Sequence, residues 1–94
     1  MIRNIRHKGL RALWLDDDQS MLRTDQIKKI AYRLVIIDNL KTLPEDLRVF
    51  PGLKAHKLSA NLNDYWSIRV TGNYRIIFRW DGEDALDLDY LDYH

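Results

Sequence analysis

Two segments near the C-terminal end alternate in polarity and are separated only by Gly72-Asn73: Tyr65-Trp66-Ser67-Ile68-Arg69-Val70-Thr71 and Tyr74-Arg75-Ile76-Ile77-Phe78-Arg79-Trp80. Trp66, Ile68 and Val70 fall on one side of the first, and Tyr74, Ile76, Phe78 and Trp80 on one side of the second. Period-two alternation marks half-buried strands, and a Gly-Asn pair between two such runs marks a tight turn. Asp81-Gly82 is a second hairpin signal, after which Ala85-Leu86-Asp87-Leu88-Asp89-Tyr90 continues as a strand to about Leu91. Leu53 to Leu58 is expected as a further strand before them. A β-meander of this size cannot cover its own apolar face, so something else in the chain must pack on it.

Helices are the expected cover. Lys8 to Leu15 places Leu10, Leu13 and Trp14 at helical spacing, and Ile27, Ile30, Ala31, Leu34, Val35 and Ile37 form a broad apolar stripe. The second helix is expected over roughly 25–39, with Thr24 as its N-cap and Asp25 in the first turn, and its stripe is read as core. Ile2 and Ile5 fit a short opening strand only loosely. Asp16-Asp17-Asp18-Gln19-Ser20 reads as a solvated loop, since no calcium-loop ligand frame follows it. Leu43-Pro44 and Pro51-Gly52 are breakers that leave room for one short turn. The fold class is α+β: N-terminal helices packed on a mostly antiparallel sheet, in a single domain spanning 1–94.

The chain of 94 residues has no cysteine, which excludes disulfides, thiolate metal sites and a cysteine nucleophile. It shows no apolar h-region at the N-terminus and no run near the roughly 18 apolar residues of a membrane span, so a cytoplasmic protein with no membrane association is expected. Net charge is only +1, but it is segregated. Arg3, Arg6, Lys8 and Arg11 crowd the first residues, whereas Asp81, Glu83, Asp84, Asp87, Asp89 and Asp92 crowd the last. This pattern fits either an acidic strand laid beside basic neighbours or a salt-bridged surface without function.

The sheet face away from the helices is where chemistry is expected. Alternation places Ser67, Arg69 and Thr71 on one side of their strand, and Arg75 and Arg79 on one side of the next. If those sides coincide, three guanidiniums line one surface, and guanidinium forks suit phosphate oxygens. Arg79 is expected to pair with the acidic strand, leaving Arg75 as the better phosphate ligand. Directly after that strand come Asp92-Tyr93-His94, a carboxylate, a phenol and an imidazole suited to proton transfer. His7 reads as a satisfied surface histidine and Trp14, Trp66 and Trp80 as core. No metal is expected, because three scattered histidines lack zinc-ligand spacing.

These residues resemble a known family. Ile2-Arg3-Asn4-Ile5-Arg6-His7-Lys8-Gly9-Leu10 is similar to the opening of HigB-type toxins, of the RelE superfamily. Tyr65 to Val70, Asn73-Tyr74-Arg75-Ile76-Ile77-Phe78 and Asp89-Tyr90-Leu91-Asp92-Tyr93-His94 follow the same pattern in order and spacing. The resemblance implies a RelE-like fold and a ribosome-dependent endoribonuclease that cuts messenger RNA in the decoding site, inhibiting translation and growth. It implies a helix-turn-helix antitoxin of the HigA-like kind as partner, with oligomers formed through the antitoxin rather than by the toxin itself. It also implies that His56, Asp92, Tyr93 and His94 are catalytic, that Arg75 contacts RNA, and that Asn73 lies near the bound base. One departure stands out: Ser59 occupies a position where the family often has lysine, and Lys57 falls on the opposite side of a regular strand.

Metal-free RNA cleavage needs a base for the 2′-OH, an acid for the 5′-oxygen and a cation on the phosphate. His94 or Asp92 fits the base, His56 or His94 the acid, and Arg75, with Arg69 beside it, the cation; no cofactor is required. Arg3, Arg6, Lys8 and Arg11 are then open to ribosomal RNA or antitoxin. Two other classes stay in view: an impaired homologue that only binds antitoxin, and an RNA-binding module without chemistry.

Overall fold

The computed structural model describes residues 1–62 and 64–92. Three helices precede a four-stranded antiparallel sheet: α1 (Lys8–Asp16), α2 (Ile27–Asp38), α3 (Glu45–Arg48), then β1 (His56–Lys57), β2 (Tyr65–Thr71), β3 (Tyr74–Trp80) and β4 (Ala85–Asp92). Spatial order follows chain order, β1-β2-β3-β4, so the meander expected from the alternation is present. The N-terminal segment adds two parallel bridges to the outer edge of β4, Ile2 to Ala85 and Ile5 to Leu88. That is the loosely fitting opening strand, reduced to two contacts.

α1 starts without Ser, Thr, Asp or Asn at its cap. The His7 side chain does the work instead, with Nδ1 accepting from the N–H groups of Gly9 (3.1 Å) and Leu10 (3.2 Å). At the other end Asp17 takes the left-handed conformation (φ 55°), and the N–H of Asp18 reaches the carbonyl of Ala12. Gly9 is required by packing, since a Cβ there would stand 2.9 Å from a Leu22 methyl.

Thr24 is not the cap of α2. Residues Thr24–Gln26 form a 3₁₀ turn, and the cap position belongs to Gln26, whose side chain is committed elsewhere. The stripe also needs correction: Ile30, Leu34, Ile36 and Ile37 are buried, while Val35 is 51% exposed. Ile30, Leu34 and Ile37 lie within one helical face, and Ile36 is covered from a second side by the segment carrying Leu40 and Phe50. The strand expected over Leu53 to Leu58 shrinks to His56–Lys57, because Pro51–Leu53 is a 3₁₀ turn and Lys54 turns left-handed (φ 48°).

The core lies between the helices and one sheet face, where Ile68, Val70, Ile76, Phe78, Ala85 and Leu88 meet Leu10, Leu13, Ile30, Leu34 and Ile37. Trp14, Trp66 and Trp80 pack at its margin as half-buried side chains. No helix among the described residues is long and apolar enough to cross a membrane.

Candidate active site

Register decides which side chains share a face, because residues directly opposite in adjacent strands project the same way. Three rows cross the face turned away from the helices. The first runs Tyr65, Arg79, Leu86; the second His56, Ser67, Ile77, Asp89; the third Arg69, Arg75, Leu91. The sides expected to coincide do coincide: Arg69 and Arg75 are Cα partners, and Arg79 lies on the same face. Arg79 pairs with Asp87 at 3.0 Å, as its place beside the acidic strand suggested. The centre of this face is closed rather than open, since Ser67 and Ile77 are buried.

A bulge in β4 sets the phase of everything after it. Asp87 takes a left-handed conformation (φ 52°), and the pairing of β3 with β4 shifts between Ile77 and Arg79. Asn4 locks the bulge by accepting from the Asp87 N–H (3.0 Å) and donating to its carboxylate (2.7 Å). The Asn4 amide, followed by Arg79, holds the Asp87 carboxyl below its usual range. Past the bulge, Asp89 and Leu91 join the arginine face, while Leu88, Tyr90 and Asp92 belong to the helix side.

Asp92 therefore stands level with Tyr74, at the corner where the Gly72-Asn73 turn meets the end of β4. Arg75 is one residue along on the opposite face, directly across from Arg69. Four expected residues thus lie at this end of the sheet: Arg69 and Arg75 on one face, Asp92 on the other, and Asn73 in the turn. His56 is not at the corner. It occupies β1 in the adjoining row, about 7 Å along the sheet from the arginine row. Its Nδ1 lies 3.0 Å from the carbonyl of Lys54. A carbonyl can only accept, so Nδ1 carries the proton and Nε2 is the nitrogen available for proton transfer. Lys57 pairs with Trp66 and so projects to the other side, as alternation required. The expected catalytic residues Tyr93 and His94 lie outside the described residues.

The crowded basic N-terminus is largely engaged within the fold. Arg3 pairs with Asp84 (3.0 Å), and Arg11 donates to the carbonyl of Ile5 (3.2 Å). Arg6 reaches across the arginine face towards the Tyr65 hydroxyl (3.5 Å), and that contact, with Asp89 and Asp87 near it, holds its guanidinium more firmly charged. Charge segregation is thus in part a salt-bridged edge. Tyr65 was missed as a residue of this face, whereas Asp89 was expected, with Asp87, as a partner of the arginines from the neighbouring acidic strand. Tyr65 continues the alternation of Ser67 and Arg69 backwards, so its place was readable; that of Asp89 depends on the bulge. Among the described residues no three His, Asp or Glu side chains are grouped as metal ligands.

Similarity to known proteins agrees with this architecture. Residues 3–94 match the family model of HigB-like toxins, described as RelE-like toxins of the type II toxin-antitoxin system HigB. Endoribonuclease HigB of Proteus vulgaris is 36% identical over 94 residues, covering 100% of both chains. Toxin HigB-1 of Vibrio cholerae is 34% identical over 94 residues, covering 100% of this chain and 98% of that one. The YoeB dimer of Staphylococcus aureus superposes with a TM-score of 0.50 at 19% identity, covering 100% of this chain and 99% of that chain, and supports the fold alone. The chain belongs to the HigB-like family of RelE-like toxins, and membership of a type II system brings with it an antitoxin partner.

Proposed function

We propose that this toxin is an endoribonuclease that cuts messenger RNA in the decoding site of the ribosome, by metal-free attack of the 2′-OH on the adjacent phosphate. The observation that carries the reading is the corner of the sheet. Arg69 and Arg75 stand directly opposite one another on neighbouring strands, with Asn73 at the turn and a carboxylate at the end of β4. Planar guanidinium forks match phosphate oxygens, and two on one row of the sheet suit a single phosphate. Arg75 and Arg69 then stabilise the charge growing on the phosphoryl oxygens, and Asn73 contacts a base. Asp92 and His94 exchange protons with the 2′-OH and the 5′-oxygen, Tyr93 orients the nucleotide, and His56 acts from the adjoining row through Nε2.

A net charge of +1 suits an enzyme that receives its RNA already ordered by the ribosome, since no broad basic field is needed to capture it. Holding the phosphate in line supplies much of the rate. On this reading the protein works in the cytoplasm, with a helix-turn-helix antitoxin of the HigA-like kind as partner and assembly through that antitoxin. Cleavage of a defined messenger RNA with and without programmed ribosomes tests it, with Asp92→Asn as control. Cuts within codons, seen only with ribosomes and lost in the control, are the expected result. Intact RNA from a chain that still binds its antitoxin would instead assign it a binding role, and would point to Ser59 as the departure that matters.

A further inference from the structure

The site just proposed depends on where the last residues of β4 stand, and β4 is unevenly held. Its first half is flanked on both sides. β3 lies along one edge, and along the other the N–H groups of Arg6 (2.7 Å) and His7 (3.3 Å) both donate to the carbonyl of Leu88. The N-terminal segment then turns into α1 at Lys8, and among the described residues no strand follows β4 on that edge past Leu88.

One side chain takes over the bracing there. The Tyr90 ring stacks on Tyr74 (centroids 5.4 Å apart, planes at 20°) and meets His7 edge-on (5.7 Å, 88°). Its hydroxyl donates to Oε1 of Gln26, which is 2% exposed at the start of α2. His7 is itself fixed as the cap of α1, and Arg23 closes over Tyr74 at 5.7 Å. Tyr90 therefore ties the end of β4 to β3, α1 and α2 together. This also explains why Gln26 does not cap α2.

We propose that Tyr90, seated on Gln26 and His7, is a positioning residue that sets the height and direction of the end of β4 and so holds Asp92 at the corner beside the Gly72-Asn73 turn. The proposal rests on the endoribonuclease reading. Tyr90 acts through Asp92 and projects to the helix side of the sheet. Burial, the largest cause, pushes its phenol up to about 12, so it remains a donor throughout the working pH range.

Tyr90→Phe keeps the ring and removes only the donor, leaving Oε1 of Gln26 buried without it; Gln26→Met removes the other partner. Two readouts test the pair: single-turnover cleavage on programmed ribosomes, and amide hydrogen exchange along β3 and β4. Each variant is expected to lower kcat about tenfold with KM unchanged, since small misplacements of a reacting group cost rate rather than binding. The double variant should be no worse than either single one, because both break the same contact. Exchange should quicken at Leu91 and Asp92 and stay unchanged at Ile76 and Phe78. Wild-type kcat in Tyr90→Phe, or exchange that rises equally through the core, would overturn the proposal. If the wild-type protein cleaves nothing, the endoribonuclease reading fails first. Exchange at Leu91 and Asp92 then still decides whether Tyr90 holds the strand, and no change there overturns the bracing as well.

Discussion

The two faces of the sheet are made by the same strands and solve opposite problems. The helix face is dry: Ile68, Ile76, Phe78 and Leu88 are buried without a polar group between them and meet the apolar faces of α1 and α2. The other face spends its area on Arg69, Arg75, Arg79, Tyr65, His56 and Asp89 above a small buried floor of Ser67 and Ile77. One face contributes most of the stability through removal of apolar surface from water. The other gathers charged and polar side chains at the surface, which add little stability of their own. Alternation lets a sheet do both, since neighbouring residues of a regular strand point to opposite faces.

If the division of labour is right, a cut in the dry face should unfold the protein and a cut in the charged face should not. Phe78→Ala is expected to have the largest effect, a loss of about 3–5 kcal/mol in a denaturant melt, which is most of the stability of a small domain. A loss below about 1 kcal/mol would mean that the helix face is not the main source of stability. Arg75→Ala comes next: ribosome-dependent cleavage should fall roughly 10²-fold, with the melt shifted far less than by Phe78→Ala. Arg75→Lys should recover only part of the rate, since an ammonium lacks the planar fork. Full recovery would reduce the role of Arg75 to that of a point charge.

Smaller effects sharpen the boundary. The Asp87 carboxyl is held low by Asn4 and Arg79, so its contribution is present above the ordinary carboxylate range and is lost as pH falls through its folded value. Asp87→Asn should cost up to about 1 kcal/mol at neutral pH, with the gap from wild type closing progressively below about pH 4 in pH-dependent melts. A gap that widens in acid would contradict the assignment. Ser67→Ala should be neutral, or stabilising by up to about 1 kcal/mol, because its buried Oγ has no hydrogen-bond partner among the described residues. A loss larger than that would mean the hydroxyl matters to the floor.

Much of this was legible because it is local. The bounds of β2 and β3, the turn at Gly72-Asn73, α1 and the pairing of Arg79 with the acidic strand all follow from neighbours in sequence. The misreadings were tertiary. Val35 satisfies helical spacing, but α2 meets the sheet on one side and the segment after Leu40 on another, which buries Ile36 in its place. Thr24 has the chemistry of a cap, yet the chain makes a 3₁₀ turn there and Gln26 is drawn inward to Tyr90. His56 lay in an apparent strand that Pro51–Leu53 and Lys54 cut short.

Local pattern alone dictates a meander covered by helices, guanidiniums along one sheet face, and a carboxylate at the end of the last strand. Period and turn chemistry are written within a few residues of one another, so they survive without three-dimensional information. The phase of β4 instead depends on a contact between distant parts of the chain. Asn4, which lies at the other end of the chain, accepts and donates at Asp87 and stabilises a left-handed residue in mid-strand. That single bulge exchanges the faces of every later residue, placing Asp89 beside the arginines and turning Tyr90 and Asp92 towards the helices. No periodicity within β4 can report it, because its cause is a hydrogen-bond partner some eighty residues away in sequence.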